Sequence, residues 1–368
     1  MKKILLATTA MAAVAALALT GCSGGTRSDA GTGGGDEKGF AADSLIGVSL
    51  PTKTSENWVL AGKLFTDGLA SAGFKSDVQY AGATTAVKDQ QDQISAMVTN
   101  GAKVVIIGAA DGGQLATQAK AAHDAGAIVI AYDRLILNTA DVDYYVAYDN
   151  FKVGQLQGQA LLDGLAAKFP DKKSYNIELF SGSSDDANAP VFFNGAMDVL
   201  QPKIDDGTLK VVSGQTDIKQ TATAGWKPEN AQSRMDTLLQ GSYPANVDID
   251  GVLSPNDTLA RAILTSVKAA GRPTPVVTGQ DSEVESVKSI MAGEQYSTIN
   301  KDTRALVAKA IEMAQKLQKG DTPEVNDTKS YDNGVKVVPA YLLTPLVVTK
   351  ENAAEAYAND PTLEPLTK

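Results

Sequence analysis

The sequence predicts an α/β protein of two similar lobes, each a parallel-rich sheet covered by helices on both faces. Two observations carry that prediction. From Leu45 onward, short β-branched runs alternate with helix-length segments, the pattern of parallel strands joined by crossover helices. The runs number ten, too many for a comfortable single sheet, and the pattern divides near Val146–Asp149 into two βα sets.

The strand segments are Leu45–Leu50, Asp77–Tyr80, Lys103–Gly108, Ala127–Tyr132, Val142–Tyr148, Tyr175–Phe180, Leu209–Ser213, Ile249–Ser254, Pro275–Thr278 and Gln295–Asn300. Helical segments between them include Asn57–Ser71, Val87–Thr99, Leu115–Asp124, Val153–Phe169, Ala189–Leu200, Asn230–Leu239, Leu259–Ala269 and Arg304–Lys316. Gly73, Gly101, Gly126 and Gly271 follow helices, as C-terminal caps should. Gly68–Lys75 has a faint look of a phosphate-binding loop, but Gly73 is better explained as such a cap. The glycines of 31–35 have no strand before them and no helix after, so they are not read as one either.

The first 42 residues read differently. Lys2 and Lys3 precede an uncharged apolar stretch from Ile4 to Leu19, and Leu19-Thr20-Gly21-Cys22 closes it. That order describes a secretory signal over 1–21. Cys22 is the single cysteine of the chain, and the segment resembles a bacterial lipoprotein lipobox, so Cys22 is expected to carry lipid. Residues 22–42, rich in Gly, Ser and Thr, read as a flexible tether.

The formal charge of −10 becomes −12 when residues 1–21, with two lysines and no acid, are removed. Nucleic acid is a poor partner for such a chain. An anionic membrane surface would not hold it by charge, which leaves anchoring to Cys22. One cysteine permits no internal disulfide. After the leader, no apolar run approaches the ~20 residues of a spanning helix.

Ligands of open α/β sheets lie beyond the carboxyl ends of the strands. The first strand is followed by Lys53, Asn57 and Trp58, the fourth by Asp133-Arg134 and the fifth by Asp149-Asn150. The sixth leads to Asp185-Asp186-Ala187-Asn188. Asn256-Asp257, Gln280-Asp281 and Lys301-Asp302 follow three later strands, and Trp226 and Asn230 precede another helix. Acids, amides, cations and both tryptophans thus gather at one kind of position. Planar polar groups suit vicinal hydroxyls, and indole faces cover the C–H faces of a sugar ring. The chemistry points to a polyhydroxylated, uncharged ligand. A plainer role is open to each residue: Asp and Asn after a strand also cap helices, and Asp133-Arg134 also fits a structural ion pair.

Ala131-Tyr132-Asp133-Arg134-Leu135-Ile136, Asp149-Asn150, Asn194-Gly195-Ala196-Met197, Gly279-Gln280-Asp281 and the run Val338–Pro345 resemble the sugar-binding proteins of ABC importers. The nearest group is the xylose-binding and multiple-monosaccharide-binding (ChvE-like) branch, and the similarity runs from about Leu45 to Val348. The resemblance implies a type I periplasmic-binding-protein fold, with two lobes joined by a three-segment hinge. The crossings are expected near Ala147, near Ser282 and before the Val335–Leu343 strand. The N-terminal lobe would then be 43–147 plus 282–334, and the C-terminal lobe 148–281 plus 335–368. Carried onto matching positions, Asp133, Arg134, Asp257 and Asp281 bond sugar hydroxyls with Asn150, Asn188, Asn230 and Gln280. Lys53 and Lys301 are cationic donors, and Trp58 and Trp226 wall the ring. In one departure, Asn57 stands where relatives carry Arg, which removes a fork of donors.

The function implied is a lipid-anchored receptor that delivers an aldose, such as xylose, glucose, galactose or arabinose, to the transmembrane subunits of an ABC permease. It would act as a monomer without cofactor or metal. A sensor kinase or chemoreceptor is an alternative partner. A carbohydrate-active enzyme using Asp185-Asp186 is a remote one, because adjacent acids in one loop do not flank a scissile bond. Sugar-responsive repressors share the fold but carry a helix-turn-helix where this chain has its signal and linker.

Overall fold

A computed structural model describes residues 39–53 and 55–368. The signal segment, Cys22 and residues 22–38 of the linker lie outside the described residues. Chain order in the first lobe is β1 (Leu45–Leu50), α1 (Glu56–Ser71), β2 (Lys75–Tyr80), α2 (Ala86–Thr99), β3 (Val104–Ile107), α3 (Ala116–Asp124), β4 (Ile128–Tyr132) and β5 (Tyr144–Tyr148). The second lobe takes α4 (Asn150–Lys168), β6 (Tyr175–Leu179), α5 (Asn188–Asp205), β7 (Leu209–Val211), α6 (Ile218–Thr221) and α7 (Pro228–Gly241). It continues through β8 (Gly251–Leu253), α8 (Asp257–Ala269), β9 (Val276–Val277), α9 (Val284–Ala292) and β10 (Ser297–Asn300). The chain returns to the first lobe for α10 (Thr303–Gln318) and β11 (Ala340–Leu343), then ends with β12 (Leu346–Thr349) and α11 (Ala353–Ala356) in the second.

The first sheet has six strands in the order β11-β5-β4-β3-β1-β2, all parallel. Its inner strands are buried on both faces, so they read as apolar runs, as in the wholly buried Val104–Ile107, whereas the edge strand β2 is polar and only partly buried. One core lies under α2 and α3, another under α1 and α10. The helices present apolar residues at i, i+4 spacing, as α1 does with Ala61, Phe65 and Leu69. The second sheet, β7-β6-β8-β9, is also parallel. It is extended at β9 by the antiparallel pair β10-β12, through the bond from Tyr296 N to Val277 O. Gly73, Gly101, Gly126 and Gly271 all have φ between 66° and 86°, the left-handed conformation expected of C-terminal caps.

Strand pairing sets the three crossings. The first, at Asp149, lies two residues from its expected place. The second falls at Lys301-Asp302 rather than at Ser282, because α9 and β10 stay packed in the second lobe. The third falls at Thr344-Pro345, after β11 rather than before it, because β11 pairs with β5 in the first sheet. Residues 282–300 therefore belong to the second lobe, and 335–343 to the first, where Val338 joins the core and Tyr145 N donates to the Pro339 carbonyl.

Candidate functional site

The carboxyl ends of both sheets face a shared cleft of about 650 Å³, within the range of small-molecule sites. Asp133 and Arg134 enter it from the end of β4. Asp133 has φ 60°, Trp226 53° and Asp281 98°, so three non-glycine residues of the cleft hold the left-handed backbone. Such strain gathers where a side chain has to be aimed.

At the centre the lobes meet through charge. Arg134 Nε lies 3.1 Å from Asp186 Oδ2, and Trp226 Nε1 donates to the same oxygen at 3.1 Å. Burial raises the Asp186 pKa above the ordinary 3.8, and the Arg134 charge pulls against that rise. Lys301, at the second crossing, sits 3.3 Å from Asp281 Oδ1 and 3.9 Å from Asp133 Oδ1. Burial works against its charge, but Asp281 and Asp133 outweigh it and the Lys301 pKa is raised. Asn188 Nδ2 donates to the Asp133 carbonyl at 2.8 Å.

Aromatic walls enclose this network. Arg134 lies over the Trp58 ring at 5.4 Å, and Trp58 meets Tyr132 edge-on. Lys301 lies 5.5 Å from the centre of the Phe192 ring. Gly182 has no room for a Cβ against Trp226, so the indole packs directly on backbone. Gln280 lines the cleft with its Oε1 buried and unpartnered, an acceptor that a ligand hydroxyl would satisfy. The arrangement offers paired donors and acceptors between aromatic faces.

Nine of the thirteen expected residues line the cleft: Asn57, Trp58, Asp133, Arg134, Asn188, Trp226, Gln280, Asp281 and Lys301. The other four do not. Lys53 is exposed, with its ammonium 4.5 Å from the centre of the Tyr80 ring. Asn230, in the first turn of α7, donates to the Ala224 carbonyl. Asn150 is buried behind Asp133 and donates to the Tyr145 hydroxyl. Asp257 is buried beneath the floor. It accepts from Glu283 N at 2.9 Å, Gln295 Nε2 at 2.8 Å and Thr298 Oγ1 at 2.9 Å. Burial raises its pKa well above 3.8, and the nearby Glu283 and Asp281 charges raise it further.

Its neighbour Asn256 lines the cleft instead, while its Oδ1 caps α8 by accepting from Leu259 N. Tyr132, Asp186 and Phe192 also line it and were not expected as ligand residues. The sequence places Asp186 among the polar strand-end residues and in the remote catalytic pair but does not single it out as a ligand residue; Arg134 and Trp226 occupy it. Its place beside Asn188 in the loop after β6 was the available signal.

Two parallel-sheet lobes with a polar, aromatic-walled cleft at their strand ends define a two-lobed solute-binding protein. Residues 46–322 match the family model described as a periplasmic binding protein domain. The chain is 51% identical over 319 residues to the multiple sugar-binding periplasmic receptor ChvE of Rhizobium radiobacter, covering 85% of this chain and 89% of that one. It is 35% identical over 321 residues to the D-xylose-binding periplasmic protein of Escherichia coli K12, covering 87% and 91%. An ABC transporter solute binding protein from Clostridium phytofermentans, solved with bound beta-D-glucose, aligns with a TM-score of 0.83 at 38% identity, covering 88% of this chain and 100% of that one. The chain belongs to the sugar-binding type I periplasmic binding proteins.

Proposed function

We propose that this protein is a lipid-anchored extracytoplasmic receptor that captures a monosaccharide between its lobes and hands it to an ABC permease. The ligand class is an aldose of the xylose, glucose, galactose or arabinose kind, bound without chemical change by a monomer. One observation carries the reading: two adjoining ionic groups, Arg134–Asp186 and Lys301 with Asp281 and Asp133, are bridged by Asn188 in the cleft lined by Trp58 and Trp226. Carboxylates and cations in alternation can each take two vicinal hydroxyls, and indoles shed water from ring faces. The glucose held by the Clostridium phytofermentans relative supports the choice of ligand class. Nine expected residues are assigned to the ligand: Asn57, Trp58, Asp133, Arg134, Asn188, Trp226, Gln280, Asp281 and Lys301.

A thermal-shift panel of about a dozen monosaccharides tests the proposal. A sugar at 100 times its Kd should stabilise the protein by about 2.7 kcal/mol, and no shift with any sugar would overturn the ligand class. Anchoring has its own test. Cys22→Ser should move the protein from the membrane fraction to the soluble one with sugar affinity unchanged. Persistence in the membrane fraction would refute lipidation at Cys22.

A further inference from the structure

Helix α9 begins at Val284 without a side-chain cap of its own. Its N-cap residue, Glu283, is committed elsewhere: the carboxylate accepts from Thr258 Oγ1 and pairs with Arg261 Nη2 at 2.6 Å. The Val284 N–H is satisfied from the other lobe. It donates to Glu56 Oε2 at 3.2 Å, and Glu56 is the first residue of α1. The next residue, Asn57, donates its Nδ2 to the Asp281 carbonyl at 3.3 Å. Two consecutive residues of the first lobe therefore bond the 281–284 backbone of the second.

We propose that Glu56 and Asn57 form a latch that sets how firmly the lobes stay together, whichever sugar is bound. The proposal rests on the receptor reading above and gives Asn57, besides its place in the cleft, a bond between the lobes. Both acceptor and donor in the second lobe are main-chain atoms, and Glu56, unlike Asn57, is not among the residues assigned to the ligand, so the Glu56 bond makes no reference to sugar stereochemistry. A carboxylate at a helix N-terminus satisfies an orphan N–H and complements the helix dipole. These bonds exist only with the lobes together, so they bias the equilibrium toward the closed arrangement. Affinity for every ligand of the cleft should then scale by one common factor.

The test compares wild type, Glu56→Ala and Glu56→Gln by calorimetry with D-glucose and D-xylose, and by small-angle scattering without sugar. Glu56→Ala should weaken both sugars by the same factor, about 3- to 10-fold, and raise the radius of gyration of the unliganded protein. Glu56→Gln, which keeps an acceptor oxygen, should recover most of both losses. Unequal factors for the two sugars, or unchanged affinity and radius in Glu56→Ala, would overturn the latch. If wild type binds neither sugar, the ligand assignment fails, and scattering alone decides: a larger radius in Glu56→Ala supports the latch, an equal one refutes it.

Discussion

Arg134 and Asp186 come from different lobes, and removing either leaves the other's charge largely buried without its ionic partner. Asp186→Ala should cost about 1–3 kcal/mol in urea unfolding through the unmatched guanidinium. The double variant Arg134→Ala/Asp186→Ala should cost less than the sum of the singles; strict additivity would mean the pair does not couple. Asp257 makes a second residue-scale prediction. Its pKa is raised in the folded protein, so folding takes up a proton between 3.8 and the raised value. Stability from this group therefore falls as pH rises through that window. Asp257→Asn should remove that slope, and the Tm difference between variant and wild type should shift in favour of the variant as pH rises. A constant difference would refute the assignment. The sequence could not separate Asn256 from Asp257, because both are polar and adjacent. What separates them is the extended backbone of Asn256, φ −153° and ψ 173°, which makes it the cap and turns the first helical residue, Asp257, inward. Asp133-Arg134 was legible because a strand end followed at once by two charges has few other places to go.

At the scale of elements, α4 and α5 approach so closely that side chains are excluded from the contact. A Cβ on Gly154 would strike the Phe192 carbonyl, and one on Gly195 would strike the Phe151 carbonyl. Gly195→Ala should destabilise the protein by about 1–3 kcal/mol, measured by chemical unfolding, and should also disturb Phe192 in the cleft. An unchanged midpoint would mean the helices separate freely. Nine strands of the two parallel sheets were legible to within about two residues, helped where burial on both faces writes an unbroken apolar run such as Val104–Ile107; β11, at Ala340–Leu343, was expected only through the resemblance and too long, as Val335–Leu343. β12 was not, because its partner β10 runs antiparallel to it, which an alternating strand–helix pattern does not announce. Helix α9 escaped as well. Its nine residues bury only Ser286, Val287 and Ile290, too short a stripe to stand out.

For the whole molecule, the two-lobed division could be seen from the break near Val146–Asp149, whereas two of the three crossings could not. Their positions depend on which sheet accepts β11 and on whether α9 stays beside β10, and both are decided by long-range pairing rather than local pattern. The corrected path places Lys301 on a crossing segment, bonded to one acid from each lobe. Lys301→Met should therefore weaken sugar binding and loosen the lobes together; calorimetric affinity lost with an unchanged radius of gyration would separate the two roles and count against this coupling. The Arg134–Asp186 pair has an optical consequence. The chain has only two tryptophans, one in each lobe. Trp58 lies beside the cation of this pair and Trp226 bonds its anion. When the lobes part, each indole stays with its own half of the pair and faces a newly uncovered charge and incoming water. The unlabelled protein thus carries a built-in emission reporter of its own opening, with one dye fixed on each jaw.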